Sequence, residues 1–332
     1  MKKIGLIARM DNSGLSTLSW EFAHNLKPRK VLMIDAQRGA TFPERYKEFE
    51  NRIYKKPEDW GWLLEDIDVL LSFETLYNWG IIKQCRKKGI KTVLVVMAEL
   101  MPEKPPLYPD LLLCPDLLAY EVCKNMGTRV EYLPLPVNTE RLQWRLRKKA
   151  ELFIHSASHG GISGRKGTGV LLEAMKQVKA DNIKLKIYSW KHLKMPFDDP
   201  RISIEVKNFQ NYWQIWREGD VLVYPQGGNG ICLPIIEAMA SGLGVITTDF
   251  WPFNEYMYKP LLFQHKGLKK LRFNPQFCEV DDPILSPGLL AEKIDEAAQM
   301  DLTKASRYGK IWGEKNSWDV LLPKYMQLFN SL

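Results

Sequence analysis

Two glycine-bearing loops hold the side chains best suited to chemistry in this chain. The stretch HGGISGRKG, over 159–167, places Arg165 and Lys166 beside Gly160, Gly161 and Gly167. Glycines let backbone N–H groups close on an anion, and the adjacent cations supply the charge to hold it. The stretch YPQGGNGICLPIIEAMASGLGVITTD, over 224–249, reads as strand end, glycine-rich loop, helix, turn and strand. Its helix is expected to begin just after Pro234, with Glu237 in the first turn and facing the loop. The glycines at 227, 228 and 230 expose N–H groups, and the helix dipole adds partial positive charge. Donors for phosphate beside a carboxylate for sugar hydroxyls suit a nucleotide-sugar site. The competing reading is an ordinary strand–turn–helix of a parallel sheet, with no ligand.

Such loops need strands to carry them. Apolar runs at 4–8, 31–34, 69–73, 92–97, 111–114 and 130–133 read as buried strands, interleaved with helical patterns at 15–26 and 117–126. The second half repeats the scheme. Strands are expected at 152–155, 183–188, 202–205, 221–224 and 245–248, and helices at 170–178 and 212–217. Alternation of this kind means parallel sheets covered on both faces. Between the halves, LPLPVN (133–138) has prolines that forbid a helix and suit a crossing between domains. A basic helix is expected to follow, to about Lys149. The tail, 317–329, reads as an amphipathic helix opened by a capping serine. The expected division is an N-terminal domain at 1–136, a C-terminal domain at 137–314 and a returning helix at 315–332.

The formal net charge is +8, a balance that favours polyanions such as nucleotide, nucleic acid or an anionic bilayer. Basic clusters lie at 86–88, 145–149 and 266–272. They read either as solvated faces or as a footprint for a large anionic acceptor. The cysteines (Cys85, Cys114, Cys123, Cys232, Cys278) form no CxxC pair and fit buried thiols of a reduced compartment. The opening MKKIGLIARM is a strand's length of apolar residues, and a signal peptide is not expected there. No run of about 18 apolar residues offers a membrane span. A cytoplasmic protein is expected. No Asp-x-Asp motif stands in a suitable loop, and His155 with His159 lacks further zinc ligands.

The segment from Gly230 resembles the signature of glycosyltransferase family 4 (glycosyl transferases group 1). Gly230, Leu233, Pro234, Glu237, Ala238, Met239, Ala240 and Gly242 fall in register with E-G-F-G-L-P-x-x-E-A-M-A-x-G. The first glutamate of that signature is replaced by Asn229. The two α/β halves resemble the GT-B architecture over nearly the whole chain: two Rossmann-like domains with parallel sheets facing a central cleft. The resemblance implies that Glu237 accepts hydrogen bonds from the donor ribose. It also implies that Asn229 meets the transferred sugar, and that backbone N–H groups from Ile231 to Leu233 touch sugar or phosphate. Lys166-Gly167 matches the family's K-G step, whose basic pair neutralises the donor diphosphate; Arg165 stands adjacent, where the family's arginine lies several residues earlier.

In the first half, the loop Met10–Leu15 is the counterpart of the family's glycine loop. Gly14 would permit close approach to the donor phosphates. Asp11 either contacts the acceptor or acts as a base, or else Asp11 or Ser13 is a plain helix cap. Glu99 occupies roughly the place of a family histidine near the transferred sugar, or is a rim residue. The family implies retention of anomeric configuration and no metal ion.

The expected activity is therefore transfer of a hexose from a nucleoside diphosphate sugar, a UDP-sugar foremost, to an acceptor hydroxyl. Charge, the eleven tryptophans and compact size are compatible with hydroxymethylated pyrimidines in DNA, the acceptor of phage-type enzymes that this chain resembles. A membrane lipid, with the basic helix near Arg145 on anionic headgroups, a glycan, and a non-catalytic GT-B binding protein are the alternatives. The sequence leaves the oligomeric state open.

Overall fold

The computed structural model describes residues 2–37, 40–158, 160, 162, 165–227, 230 and 232–332. It divides into two compact units. Unit 1 comprises Met1–Pro136, Arg272–Glu279 and Trp318–Leu332; unit 2 comprises Val137–Leu271 and Val280–Ser317.

Unit 1 runs β1 (Ile4–Arg9), α1 (Gly14–Leu26), β2 (Lys30–Ile34), β3 (Glu50–Ile53), α2 (Glu58–Leu63), β4 (Val69–Phe73), α3 (Ile81–Lys87), β5 (Lys91–Val95), β6 (Leu111–Cys114), α4 (Leu117–Cys123) and β7 (Arg129–Tyr132). Its strands are parallel, in the order β3-β2-β1-β4-β5-β6-β7. The central strands are buried along their whole length and mostly apolar because helices cover both faces. The edge strands β3 and β7 are polar and partly exposed, so only one side of each must find partners.

Unit 2 runs α5 (Thr139–Leu142), β8 (Leu152–Ser158), α6 (Thr168–Met175), β9 (Lys184–Ser189), β10 (Ile202–Val206), β11 (Val221–Val223), α7 (Leu233–Ala240), β12 (Gly244–Thr248), α8 (Phe253–Tyr256), β13 (Leu262–Phe263), β14 (Leu268–Leu271), β15 (Val280–Pro283), α9 (Pro287–Ala298) and α10 (Thr303–Lys315). Its parallel sheet has the order β10-β9-β8-β11-β12-β13. The antiparallel ribbon β14–β15 ties basic to acidic side chains, Lys270 to Asp281 at 2.8 Å and Lys269 to Asp282 at 3.2 Å. Two lysines of the 266–272 cluster thus have partners within their own unit. Both sheets share the order 3-2-1-4-5-6 of a doubly wound fold, read from their own first strand.

The final helix α11 (Trp318–Asn330) belongs to unit 1. Phe22 of α1 meets Phe73, Trp318 and Tyr325 edge-on, with centroids 4.9, 4.9 and 5.1 Å away. The Tyr325 hydroxyl donates to the Pro134 carbonyl at 2.9 Å.

Two expectations are corrected here. The basic helix to Lys149 is absent: α5 ends at Leu142, where Gln143 turns left-handed with φ 50°. The chain beyond must turn Arg147 inward, and a continuing helix would keep its charged residues on a solvated face. The helix expected at 212–217 is a 3-10 turn, Tyr212–Trp216, packed by its aromatic rings. Among the described residues, no helix is long and apolar enough to cross a membrane. No group of three or more His, Cys, Asp or Glu among them is placed to hold a metal ion.

Phe22 is fully buried, and Phe22→Ala would remove the ring shared by β4 and α11. The expected cost is about 3–5 kcal/mol, read from urea denaturation of the variant against the wild type.

Candidate functional site

The order of the second sheet puts a topological switch point between β8 and β11, where connections leave in opposite directions. Crevices at such points, outside the carboxyl ends of the strands, are where open α/β sheets bind ligands. Both chemistry-bearing loops leave from this place, the basic one after β8 and the glycine-rich one after β11.

A fixed set of contacts locks the loops together. Gly167 has φ +73°, and a Cβ there would stand 2.0 Å from the Pro225 carbonyl oxygen. Only glycine permits both that conformation and that approach. His155 is fully buried beneath the junction. Its Nδ1 lies 2.8 Å from the Val223 carbonyl and its Nε2 2.8 Å from the Thr168 hydroxyl. A carbonyl only accepts, so Nδ1 carries the proton. Burial lowers the imidazole to about 4, so Nε2 is bare and accepts from Thr168. One neutral ring thereby joins β8, β11 and the first residue of α6. From β12, the Thr247 hydroxyl donates to the Tyr224 carbonyl and the Thr248 hydroxyl to that of Gln226, both at 2.9 Å.

On this base sit the charged groups. Lys166 is half-buried and Arg165 exposed. Desolvation, with Arg165 adding repulsion, lowers the Lys166 ammonium to about 8. Cys232, the residue that caps α7, has its thiol raised to about 11 by burial, against the pull of Lys166 and Arg165.

Glu237 corrects an expectation. The helix α7 starts at Leu233 with Pro234 inside its first turn, so Glu237 is the fifth helical residue and lies in the second turn. Its carboxylate is buried, and Oε2 accepts the Trp216 indole N–H at 3.0 Å. Nothing in the sequence pattern singles out Trp216 from the other tryptophans, because its partner is 21 residues away. The opposite end of α7 is held by Arg147, which donates to the carbonyls of Ser241 (2.9 Å), Trp216 (3.1 Å), Gly219 (3.1 Å) and Arg145 (2.8 Å). Desolvation lowers this guanidinium to about 10. Helix α10 closes on the same helix through Gly309, where a Cβ would stand 2.1 Å from the Met239 carbonyl.

Of the other expected donor-side residues, Leu233 opens α7, Gly230 is buried, and the Gly160 amide donates to Ala157 at 3.1 Å. Gly161, Asn229 and Ile231 lie outside the described residues. Arg165 and Lys166 follow β8, and Glu237 follows β11, the two strands that flank the switch point.

The unit 1 candidates are placed as follows. Asp11 is fully buried, pairs with Arg9, and accepts from the hydroxyl and, at 3.0 Å, the amide of Ser13. Burial alone would raise its carboxyl, but Ser13 and Arg9 outweigh it and hold the group below the usual range. Ser13 caps α1, accepting the Ser16 amide at 3.3 Å. Gly14 is the exposed first residue of α1. Glu99 is buried in a 3-10 turn, Ala98–Leu100, where the strand expected to reach Met97 has already ended at Val95.

The family model described as Glycosyl transferases group 1 matches residues 155–261. That stretch contains the basic loop, the glycine-rich loop, α7 and Trp216. Known folds agree over the whole chain. HepE from Anabaena, solved with UDP and glucose, is 11% identical over 100% of both chains, with a TM-score of 0.71. The sucrose-phosphate synthase of Thermosynechococcus elongatus is 12% identical over 100% of this chain and 99% of its own, at 0.68. The lipopolysaccharide outer core galactosyltransferase WaaB is 13% identical over 99% and 100%, at 0.64. The fold is therefore GT-B. No curated protein sequence matches the chain.

The buried imidazole gives the second unit a pH signature. His155 is held near 4 in the fold and titrates at its ordinary value of 6.5 when unfolded. The unfolded chain binds the extra proton between those values, so stability falls as pH falls through that window. From pH 7 to 5 the expected loss from this residue is about 2 kcal/mol. Urea midpoints at the two pH values would show it, and His155→Gln would flatten the dependence.

Proposed function

We propose that this chain transfers a hexose from a nucleoside diphosphate sugar, UDP-sugar foremost, to an acceptor hydroxyl without a metal ion. The observation that carries the reading is that the loop with Arg165 and Lys166 follows β8 and the helix with Glu237 follows β11, on either side of the switch point and within the stretch that the glycosyl transferases group 1 model matches. HepE, with the same fold, was solved with UDP and glucose, which supports the choice of donor.

Lys166 and Arg165, with backbone N–H groups at the head of α7, neutralise the donor diphosphate. As the bond between the anomeric carbon and the phosphate oxygen breaks, charge builds on the leaving phosphate, and fixed cations stabilise it. Glu237 accepts from the ribose hydroxyls. Asn229 meets the transferred sugar, backbone N–H groups from Gly230 to Leu233 serve sugar or phosphate, and Gly160 and Gly161 serve the diphosphate. The acceptor oxygen attacks from the face the phosphate leaves, and its proton passes to that phosphate, so configuration is retained. We assign Asp11 to the acceptor, Gly14 to the donor phosphates and Glu99 to the transferred sugar. The low proton affinity of Asp11 suits a positioning role better than that of a base.

For the acceptor we propose an anionic molecule, with a hydroxymethylated pyrimidine in DNA as the first to test. The net charge of +8 supports it. The lipid alternative rested partly on a basic helix at Arg145, and no helix is found there.

Nucleotide release from a panel of UDP- and GDP-sugars, with and without 5-hydroxymethylcytosine DNA, tests the reading. Release that rises with the modified DNA supports both donor and acceptor; release with no such rise keeps the donor and removes DNA. Absence of release with every donor would overturn the enzyme reading. Lys166→Ala and Glu237→Ala should each reduce turnover by about 10²–10³, and EDTA should leave it intact.

The Lys166 ammonium also fixes a pH dependence. Its pKa of about 8 means the charge is full below that pH and lost as pH rises through it. The donor KM should therefore climb above pH 8, and Lys166→Arg should abolish that climb, because a guanidinium stays charged.

A further inference from the structure

We infer that Trp216 is a positioning residue for the Glu237 carboxylate, and that it sets how strongly the site discriminates for ribose hydroxyls. The inference rests on the proposed role of Glu237.

The geometry is local to unit 2. Trp216 closes the 3-10 turn Tyr212–Trp216, and the residue is 3% exposed. Its N–H can only donate, and it donates to Glu237 Oε2 at 3.0 Å. A glutamate has three side-chain torsions before its carboxylate, so an unguided carboxylate samples several rotamers. A buried, rigid donor selects among them. A carboxylate can accept about four hydrogen bonds, so the one from Trp216 orients the group without exhausting it.

Trp216 is itself fixed from behind. Arg147 Nη2 donates to the Trp216 carbonyl at 3.1 Å, and Nη1 to the Ser241 carbonyl at 2.9 Å, just past the end of α7. Nε donates to the Gly219 carbonyl at 3.1 Å. One buried cation therefore holds the turn that carries the donor and the helix that carries the acceptor. The pair Trp216–Glu237 is a bond between two elements clamped to the same guanidinium.

The discriminating property is the affinity ratio between UDP and 2′,3′-dideoxy-UDP. In the wild type, loss of the hydroxyls should weaken binding by about 10–100-fold, the worth of hydrogen bonds to a charged acceptor. Trp216→Phe keeps an aromatic ring and removes the donor. The ratio should fall several-fold towards that of Glu237→Ala, while the ratio between UDP and UMP, which reports the diphosphate contacts, stays at the wild-type value. An unchanged UDP to dideoxy-UDP ratio in Trp216→Phe would overturn the inference and leave the donor-site reading intact. A wild type that binds UDP no better than the dideoxy analogue, or binds neither, would sink the ribose role of Glu237 and the inference with it.

Should Trp216→Phe fail to fold, indole N–H exchange in the wild-type protein supplies the readout. UDP should slow exchange at Trp216 more than dideoxy-UDP does, and equal slowing would overturn the inference.

Discussion

The approach of two backbones at Gly167 and Pro225 governs the rest of the second unit. Two loops that leave a sheet in opposite directions diverge unless something draws them together. Here the absence of one side-chain carbon lets a left-handed residue settle against a carbonyl at a distance no Cβ could tolerate. His155 then fastens the same junction from below, as a neutral ring with one donor and one acceptor, each matched. Lys166 precedes that glycine and Cys232 caps the helix beyond, so the placement of charge follows from the contact. With the loops a few ångströms further apart, the same residues would be a solvated cation and a buried acid with no shared purpose.

Much of this was legible in the chain, and for a physical reason. Central strands such as β4 and β6 are buried on both faces, so their residues had to be apolar runs, and their boundaries could be read directly. The edge strand β3, ENRI, was hidden because an edge has no need of such a run. The helix α7 was visible as a pattern, yet its start was misplaced: Pro234 was taken as the residue before the helix, although the missing N–H of proline costs nothing inside a first turn. The aromatic turn at 212–216 was mistaken for an α-helix because a single turn offers too few residues for a period to show.

What stayed hidden at the site were partners, not candidates. Lys166 and Glu237 stand in motifs, and motifs are local. Trp216 and Arg147 act through contacts 21 and 69 to 94 residues distant in sequence, and local spacing carries no trace of those. Arg147 was counted among surface cations, as composition suggests for most arginines. Its inward turn depends on carbonyls left over at the end of a helix and a turn, and these belong to the fold and not to any one residue type.

That choice of partners has a bearing on inheritance. The guanidinium of Arg147 is satisfied by main-chain oxygens alone among its hydrogen-bond acceptors, those of Arg145, Trp216, Gly219 and Ser241. Every amino acid supplies a carbonyl. The side chains of Arg145 and Ser241 can drift through generations of substitution without unpairing the cation, so long as the backbone path survives. An ion pair exposes two codons to such loss; this anchor exposes one.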